Sequence, residues 1–168
     1  MKPVLATERL ALREMAPGDL DFVAAMLAHP EVMRFYPKQY SREEAQAWIE
    51  RQVQRYAEHG HGLWLVVERG SETPVGQVGL MMQEVEGTSE PEIGYLVHRP
   101  FWRRGYASEA ALGVREYAFG VLDRPKVISL IRPENVPSQG VARAIGMAAQ
   151  REVDFKGFRH LVFAVCRP

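Results

Sequence analysis

Residues 92–110 read EIGYLVHRPFWRRGYASEA, and this stretch decides the fold. Glu92–His98 is predicted to be a strand, and Ala107–Phe119 repeats its apolar residues at helical spacing. The turn between them contains Gly105 and two arginines, and it delivers unpaired backbone amides to the positive end of a helix dipole. Such a turn favours phosphate, although many α/β proteins have a glycine before a helix and exposed arginines are often merely solvated.

The remainder of the chain predicts an α/β domain of mixed architecture. Because Glu92–His98, its helix and Lys126–Ile131 form a strand–helix–strand unit, these two strands are expected to be parallel, while the flanking hairpins are antiparallel. We expect one domain over residues 1–168, with helices on both faces of a mixed, mostly antiparallel sheet of about seven strands. The other predicted elements are a strand near 9–15, helices at Asp19–Ala28, from Ser41 to Gly60 and at Pro137–Ile145, and strands at Leu63–Glu68, Val75–Met82, Met147–Val153 and His160–Cys166.

Composition excludes several classes of protein. The 168 residues carry 21 Lys and Arg against 21 Asp and Glu, so the formal net charge is +0. We therefore expect neither nucleic acid nor an anionic membrane as a partner. The apolar runs are strand-sized, far below the roughly 20 residues that cross a bilayer, and charge interrupts the N-terminus before a signal peptide forms.

Cysteine and histidine usage bounds the chemistry further. Cys166 is the only cysteine, which excludes an internal disulfide and fits a cytoplasmic location. Its pattern predicts burial in the last strand, where it would be a poor nucleophile. No metal is expected, because the five histidines lack metal-site spacing: His29, His59, His61, His98 and His160.

Several motifs together resemble a known family. In chain order they are Thr7-Glu8-Arg9-Leu10-Ala11-Leu12-Arg13, Gly76-Gln77-Val78-Gly79, Glu92-Ile93-Gly94-Tyr95, the turn from Trp102 to Ala107, Asn135, Ser138 and Gly146-Met147. This series resembles the GNAT superfamily of acetyl-CoA-dependent N-acetyltransferases, in particular its ribosomal-protein N-terminal acetyltransferase-like (RimJ/RimL-type) branch, over nearly the whole chain. The resemblance implies a GNAT-like fold whose central parallel strands splay apart into a slot.

The resemblance also implies an activity. Acetyl-CoA is the expected cosubstrate, and the acetyl group passes directly to a primary amine, with a protein N-terminus favoured. Two alternatives stay open: a small-molecule amine such as a polyamine, amino sugar or amino acid, and a sensor that binds acyl-CoA without transfer. Phe35, Tyr36 and Trp64 either line the acceptor pocket or belong to the core. Both a monomer and a homodimer fit the sequence.

By resemblance, the coenzyme binds along the strand and the turn that follows it. The strand edge would pair with the pantetheine arm, the turn amides would bind the pyrophosphate, and Asn135 and Ser138 would lie near the pantetheine and the sulfur. The residues themselves allow another reading, in which Asn135 and Ser138 only cap a helix. The implied coenzyme-binding residues are Tyr95, Leu96, Val97, His98, Arg103, Arg104, Gly105, Tyr106, Ala107, Ser108, Asn135 and Ser138.

The expected catalytic residues are Glu92 and Ser138. Glu92 starts the coenzyme strand and would take the amine's proton, with Glu90 as a weaker substitute; the alternative is an exposed strand-end carboxylate without a task. A backbone amide such as that of Val97 would polarise the carbonyl. Many family members have a tyrosine acid seven positions after their counterpart of Asn135, where this chain has Ala142, so Ser138 or water would protonate the thiolate.

Overall fold

One eight-stranded sheet organises the chain in the computed structural model, which describes residues 1–168. In chain order the strands are β1 (Leu5–Ala6), β2 (Leu10–Arg13), β3 (Leu63–Glu68), β4 (Pro74–Val85), β5 (Thr88–Val97), β6 (Lys126–Ile131), β7 (Ala148–Phe155) and β8 (Phe158–Cys166). They lie side by side in the order β1-β2-β3-β4-β5-β6-β8-β7, and only β5 and β6 run parallel. The predicted mixed sheet with a central parallel pair is confirmed. The extra strand, β1, has two residues, too few for a recognisable alternation.

Helices cover both faces of the sheet, as predicted. They are α1 (Leu20–Leu27), α2 (Arg42–His59), α3 (Tyr106–Gly120) and α4 (Val136–Ala144). Side chains of β3 alternate between two cores: Trp64 packs with residues of α3 and α4, whereas Leu65 packs with residues of α1 and α2. This alternation follows from the two-residue period of a strand. No helix combines the length and the apolar content needed to span a membrane.

Both ends of α2 are fixed by the residues that the sequence indicated. The Ser41 hydroxyl accepts a hydrogen bond from the Glu44 backbone N–H, and the Glu44 carboxylate accepts one from the Ser41 N–H. Gly60 ends the helix in the left-handed conformation, with φ at +77°. The orientation of α2 is therefore defined, and with it the direction of the side chains that it presents to the sheet.

Strand β5 is longer than predicted, and this changes the position of Glu92. The strand begins at Thr88, so Glu92 lies in its interior and not at its start. Pro91 lies within the strand opposite Met82, whereas the His98 N–H bonds to the Val75 oxygen. Since bonding pairs alternate along an antiparallel ladder, the missing N–H of Pro91 costs no bond to β4.

The parallel pair separates almost as soon as it forms. β5 and β6 share one register pair, Glu92 opposite Ile128, and the Ser129 hydroxyl donates to the Ile93 carbonyl at 2.8 Å. β6 then follows β8, pairing with it from Lys126 to Ile131. The expected splay is thus present, and it opens a gap beside the second half of β5.

The environment of Cys166 differs from the prediction. Its side chain is exposed, although residues 162–164 of β8 are buried. Cys166 is the last residue of β8 and pairs with Lys126, the first residue of β6, so it lies at the end of both strands. The alternation was read correctly, but it cannot show where the covering layer stops.

Gly79 is required because two backbones approach each other closely there. A Cβ at this position would lie 2.0 Å from the Gly62 carbonyl oxygen, which neither strand can avoid without moving. We expect Gly79→Ala to lower the free energy of unfolding by about 2 to 4 kcal/mol. Gly120→Ala is the control, because its Cβ meets nothing within 4 Å at the end of α3. Urea denaturation with equal losses for both variants would contradict this account.

Candidate functional site

A cavity occupies the gap between β5 and β6. Its volume is about 320 Å³. The walls come from α2, the centre of the sheet, the start of α4 and the β7–β8 hairpin, and the segment before α2 closes one end. Among its lining residues are Phe35, Tyr36, Trp48, Arg51, Arg55, Gln83, Glu92, Tyr95, Arg132, Asn135, Ser138, Phe155 and Lys156.

Glu92 is the only carboxyl group that lines this cavity. It is 8% exposed, and both oxygens are held: Gln83 Nε2 donates to Oε1 at 3.1 Å, and the Leu130 backbone N–H donates to Oε2 at 2.7 Å. Burial raises the pKa of Glu92 to about 7, against the opposing effect of these two hydrogen bonds and of nearby Lys156 and Arg55. The alternative of an exposed carboxylate is therefore wrong, and near pH 7 this group can both accept and release a proton.

The start of α4 forms the wall opposite Glu92. The Asn135 carboxamide accepts a hydrogen bond from the Ser138 N–H at 3.2 Å, so Asn135 caps α4 while it also lines the cavity. The Tyr95 hydroxyl donates to the Ser138 carbonyl at 2.6 Å and ties α4 to β5. The Ser138 hydroxyl makes no hydrogen bond within the chain. Ala142, by contrast, is fully buried in the core and lends no polar group.

The turn before α3 has the geometry that binds anions. Arg103 and Gly105 adopt positive φ values of +63° and +76°, and Gly105 is the N-cap of α3. The backbone N–H groups of residues 103–108 donate no hydrogen bond within the protein, since the first helical bond of α3 runs from the Glu109 N–H to the Gly105 oxygen. These amides surround a helix N-terminus, where a negative charge is stabilised.

The side chains around this turn differ in their exposure to solvent. Arg103 and Arg104 are exposed, Ala107 and Ser108 are half-buried, and Tyr106 is buried beneath the Arg9 guanidinium, which lies 4.7 Å from its ring centre. The turn therefore offers backbone amides at its centre and exposed cationic side chains at its rim. The Tyr106 side chain belongs to the core, while its backbone N–H belongs to the turn.

The second half of β5 connects the cavity to the turn. The Ile93 carbonyl bonds to Ser129 and the Val97 carbonyl accepts from the Trp102 indole at 2.7 Å, so alternate residues direct their backbone groups away from β4. By the same alternation the N–H groups of Tyr95 and Val97 face the gap. This open strand edge runs from the buried carboxyl group to the anion-binding turn.

Two further coenzyme-strand residues point elsewhere with their side chains. Leu96 packs with the α1–α2 core, and His98 contacts the rings of Phe22 and His29 edge-on. Burial and His29 lower the pKa of His98. By the same alternation, the backbone groups of Leu96 and His98 face β4, where the His98 N–H bonds to the Val75 oxygen, and not the open strand edge.

The aromatic candidates separate into two groups. Phe35 and Tyr36 line the cavity, whereas Trp64 is fully buried in the core against Tyr117. Glu90, the weaker candidate base, pairs with Lys126 at 3.1 Å and does not line the cavity. Glu92 therefore has no acidic competitor at this site.

Sequence reasoning missed the cationic residues of the cavity. Trp48, Arg51 and Arg55 lie three and four positions apart on α2, so they share one face of the helix, and Lys156 sits at the tip of the β7–β8 hairpin. The helical spacing was visible in the sequence. What it lacked was the direction of that face, which only the packing of α2 on the sheet defines.

Comparison with known proteins agrees with this geometry. Residues 9–148 match the acetyltransferase (GNAT) domain family. The chain belongs to this family. The uncharacterized protein YkkB of Bacillus subtilis (strain 168) is 32% identical over 147 residues, which cover 87% of this chain and 86% of that relative. The uncharacterized N-acetyltransferase YnaD of the same organism is 30% identical, covering 90% of this GNAT chain and 85% of its own length.

Solved structures of GNAT proteins share the whole fold. The acetyltransferase from Agrobacterium tumefaciens str. C58 superposes with a TM-score of 0.86 at 27% identity, over 99% of this chain and 96% of that one. RimL, the ribosomal L7/L12 alpha-N-protein acetyltransferase solved in complex with coenzyme A, gives a TM-score of 0.80 at 14% identity over 98% of both chains. Ribosomal-protein acetyltransferases are thus among the structural neighbours, as the motifs indicated.

The burial of Glu92 can be tested by titration. We expect isotope-edited NMR of the Glu92 carboxyl carbon to give a pKa of about 7, and Gln83→Leu to raise this pKa because it removes a donor to the charged form. Glu84→Gln is a matched control, since Glu84 follows Gln83 on β4 but does not line the cavity. A Glu92 pKa in the ordinary range near 4.5 would contradict the assigned environment.

Proposed function

We propose that the protein transfers an acetyl group from acetyl-CoA to a primary amine, with a protein N-terminus as the first acceptor to test. One observation carries the proposal: a buried carboxyl group with a pKa near neutrality faces a cavity that an open strand edge joins to an anion-binding turn. This arrangement favours a catalytic function over that of a sensor, because a protein that only binds acyl-CoA does not need a base at that place. The similar fold of RimL, a ribosomal L7/L12 alpha-N-protein acetyltransferase, supports the choice of acceptor.

The chain's residues fit the parts of acetyl-CoA. Free amides at residues 103–108 would hold the pyrophosphate, with Arg103 and Arg104 at the rim. The outward N–H groups of Tyr95 and Val97 would pair with the pantetheine arm or the thioester. Asn135 and Ser138, at the opposite wall, would limit the lateral movement of the arm. No metal is part of the proposal.

The reaction needs a neutral amine and a base within reach of its proton. As the nitrogen attacks, a C–N bond forms and negative charge develops on the carbonyl oxygen, which the Val97 N–H would stabilise. Glu92, directly or through water, would take the proton that the nitrogen loses. When the C–S bond breaks, the free Ser138 hydroxyl or water would protonate the thiolate, because Ala142 offers no acid.

A small-molecule amine is the second candidate acceptor. The observation that favours it is the size of the cavity, about 320 Å³, which suits one small molecule or the first residue or two of a peptide. Both candidates require the same catalytic groups, so one assay separates them. Purified protein should release thiol from acetyl-CoA with peptides that begin in Ala or Ser, tested beside a panel of small amines. Absence of amine-dependent release in both sets would contradict transfer.

Glu92→Gln tests the base directly. With wild-type protein, the thiol-release rate should rise as pH increases through about 7, because only the deprotonated carboxylate accepts a proton. The variant should lose about 100-fold in kcat and also this rising limb. Coenzyme affinity should stay unchanged. Glu90→Gln is the control, and unchanged turnover in Glu92→Gln would assign the proton to another group.

Gly105→Trp tests the turn. A side chain there is strained at φ +76° and would crowd the amides, so the Kd for acetyl-CoA should rise at least about tenfold by calorimetry. Gly87→Trp is the matched control: Gly87 has φ +80°, has open space around it and lies in the β4–β5 turn. If both variants bind acetyl-CoA as the wild type does, the turn is not part of the site.

A further inference from the structure

The cavity walls carry cationic side chains that form no ion pair within the protein. Arg51, Arg55 and Lys156 line the cavity, and none of them forms an ion pair with a carboxylate of the chain. Arg132 differs, because it pairs with Glu134 at 2.8 Å and donates to the Phe35 carbonyl at 3.1 Å. Arg51 and Lys156 are exposed to solvent, whereas Arg55 is half-buried, and together the three make the cavity favourable for an anion.

Arg55 shows this most clearly. Its side chain is half-buried, and its Nη1 contacts only the Gln52 carboxamide oxygen and the Met81 sulfur, both at 3.2 Å. Burial and the neighbouring Arg51 lower the pKa of Arg55, which means that the charge is disfavoured where it stands. A guanidinium kept in such a place without a counterion costs stability. A bound carboxylate would remove that cost.

Glu92 attracts Arg55 electrostatically but forms no ion pair with it, so it supplies only part of the missing charge. Its two oxygens are already occupied by Gln83 and by the Leu130 N–H, and it makes no ion pair. Its pKa of about 7 also leaves it partly neutral at physiological pH. The anion must therefore come from outside the chain.

We propose that the acceptor amine carries a carboxylate, which Arg51 and Arg55 bind from α2 while Lys156 lies across the cavity. This inference rests on the proposed acetyl transfer and names its acceptor class. The carboxylate is a side-chain carboxylate, either of a free acidic amino acid or of an acidic residue close to a peptide N-terminus. Polyamines do not fit, since each further ammonium group would meet three cations.

The position of Glu92 suits the chemistry at the amine. Only the neutral amine attacks a thioester, so an ammonium group must first lose a proton. An acceptor whose carboxylate is attracted to the cations would hold its amino group nearer Glu92, which would take that proton. Trp48 and Phe155 line the space between and would contact the apolar part of such a molecule.

Matched acceptor pairs test the proposal. Each pair differs by one charge: glutamate against glutamine, and the amidated peptide Ala-Glu-Ala against Ala-Gln-Ala, with spermidine as the cationic comparison. Binding to the protein saturated with coenzyme A is measured by calorimetry, and thiol release from acetyl-CoA is measured in parallel. We expect the carboxylate member of at least one pair to bind at least about tenfold more tightly. The pair that shows this preference identifies the source as amino acid or peptide.

Four variants assign the preference to these side chains. Arg51→Gln and Arg55→Gln, singly and together, should reduce the carboxylate-to-carboxamide ratio towards one. Lys156→Asn should reduce it less, and asparagine keeps the left-handed turn, where φ is +50°. Arg42→Gln is the control on the same helix: Arg42 is exposed, pairs with Asp21 and lies outside the cavity. Unchanged acetyl-CoA affinity verifies that each variant is folded.

The outcomes separate this inference from the proposed function. Equal binding within both pairs, tight binding of spermidine, or a carboxylate preference that survives the double variant would overturn it. Thiol release that is as fast with neutral as with acidic acceptors would retain acetyl transfer and reject the acidic acceptor. Carboxylate-selective binding without thiol release from any acceptor would support the site for acidic molecules and reject the proposed acetyl transfer.

Discussion

The site depends on one interruption of the sheet. β5 and β6 are parallel neighbours at Glu92 and Ile128, but beyond that pair the ladder stops, and its backbone groups need other partners. The Glu92 carboxylate accepts from the Leu130 N–H, and the Ser129 hydroxyl donates to the Ile93 carbonyl. Side chains thus replace the missing backbone bonds. The carboxyl group that closes the ladder is for that reason buried, and burial gives it a pKa near neutrality.

A second constraint fixes the anion-binding turn. The Glu109 carboxylate accepts hydrogen bonds from the Thr7 hydroxyl, the Arg9 N–H and the Arg9 guanidinium, at 2.7 to 2.8 Å. Because Glu109 lies in the first turn of α3, these bonds join the free end of the helix to the N-terminal segment. The helix N-terminus is held in place while its own amides stay unpaired. The Thr7-Glu8-Arg9 motif therefore has a structural role: it holds Glu109, which lies about a hundred residues later in the sequence.

The sequence predicted the fold well because its signals are local. Alternation in β3, the capping box of α2 and Gly105 before α3 each depend on neighbours within a few residues. The features that the sequence did not predict depend on contacts between residues that are distant in sequence. Nothing local showed that Glu92 would be covered, that Cys166 would lie beyond the covering layer, or that one face of α2 would aim its arginines at a cavity whose other walls come from β6, α4 and the β7–β8 hairpin. Resemblance to a family named the coenzyme turn, but it carried no information on these cations.

The charges of the cavity act on each other, which links recognition to proton transfer. Arg55 and Lys156 lower the pKa of Glu92, while burial raises it further than they lower it. An acceptor carboxylate that neutralises those cations would remove part of their influence and make Glu92 a stronger base when the amine is in place. Before the acceptor arrives, the same cations favour the charged form of the carboxyl group. In the proposed mechanism, an acidic acceptor would therefore raise the pKa of Glu92 on binding, whereas a neutral acceptor would leave it unchanged.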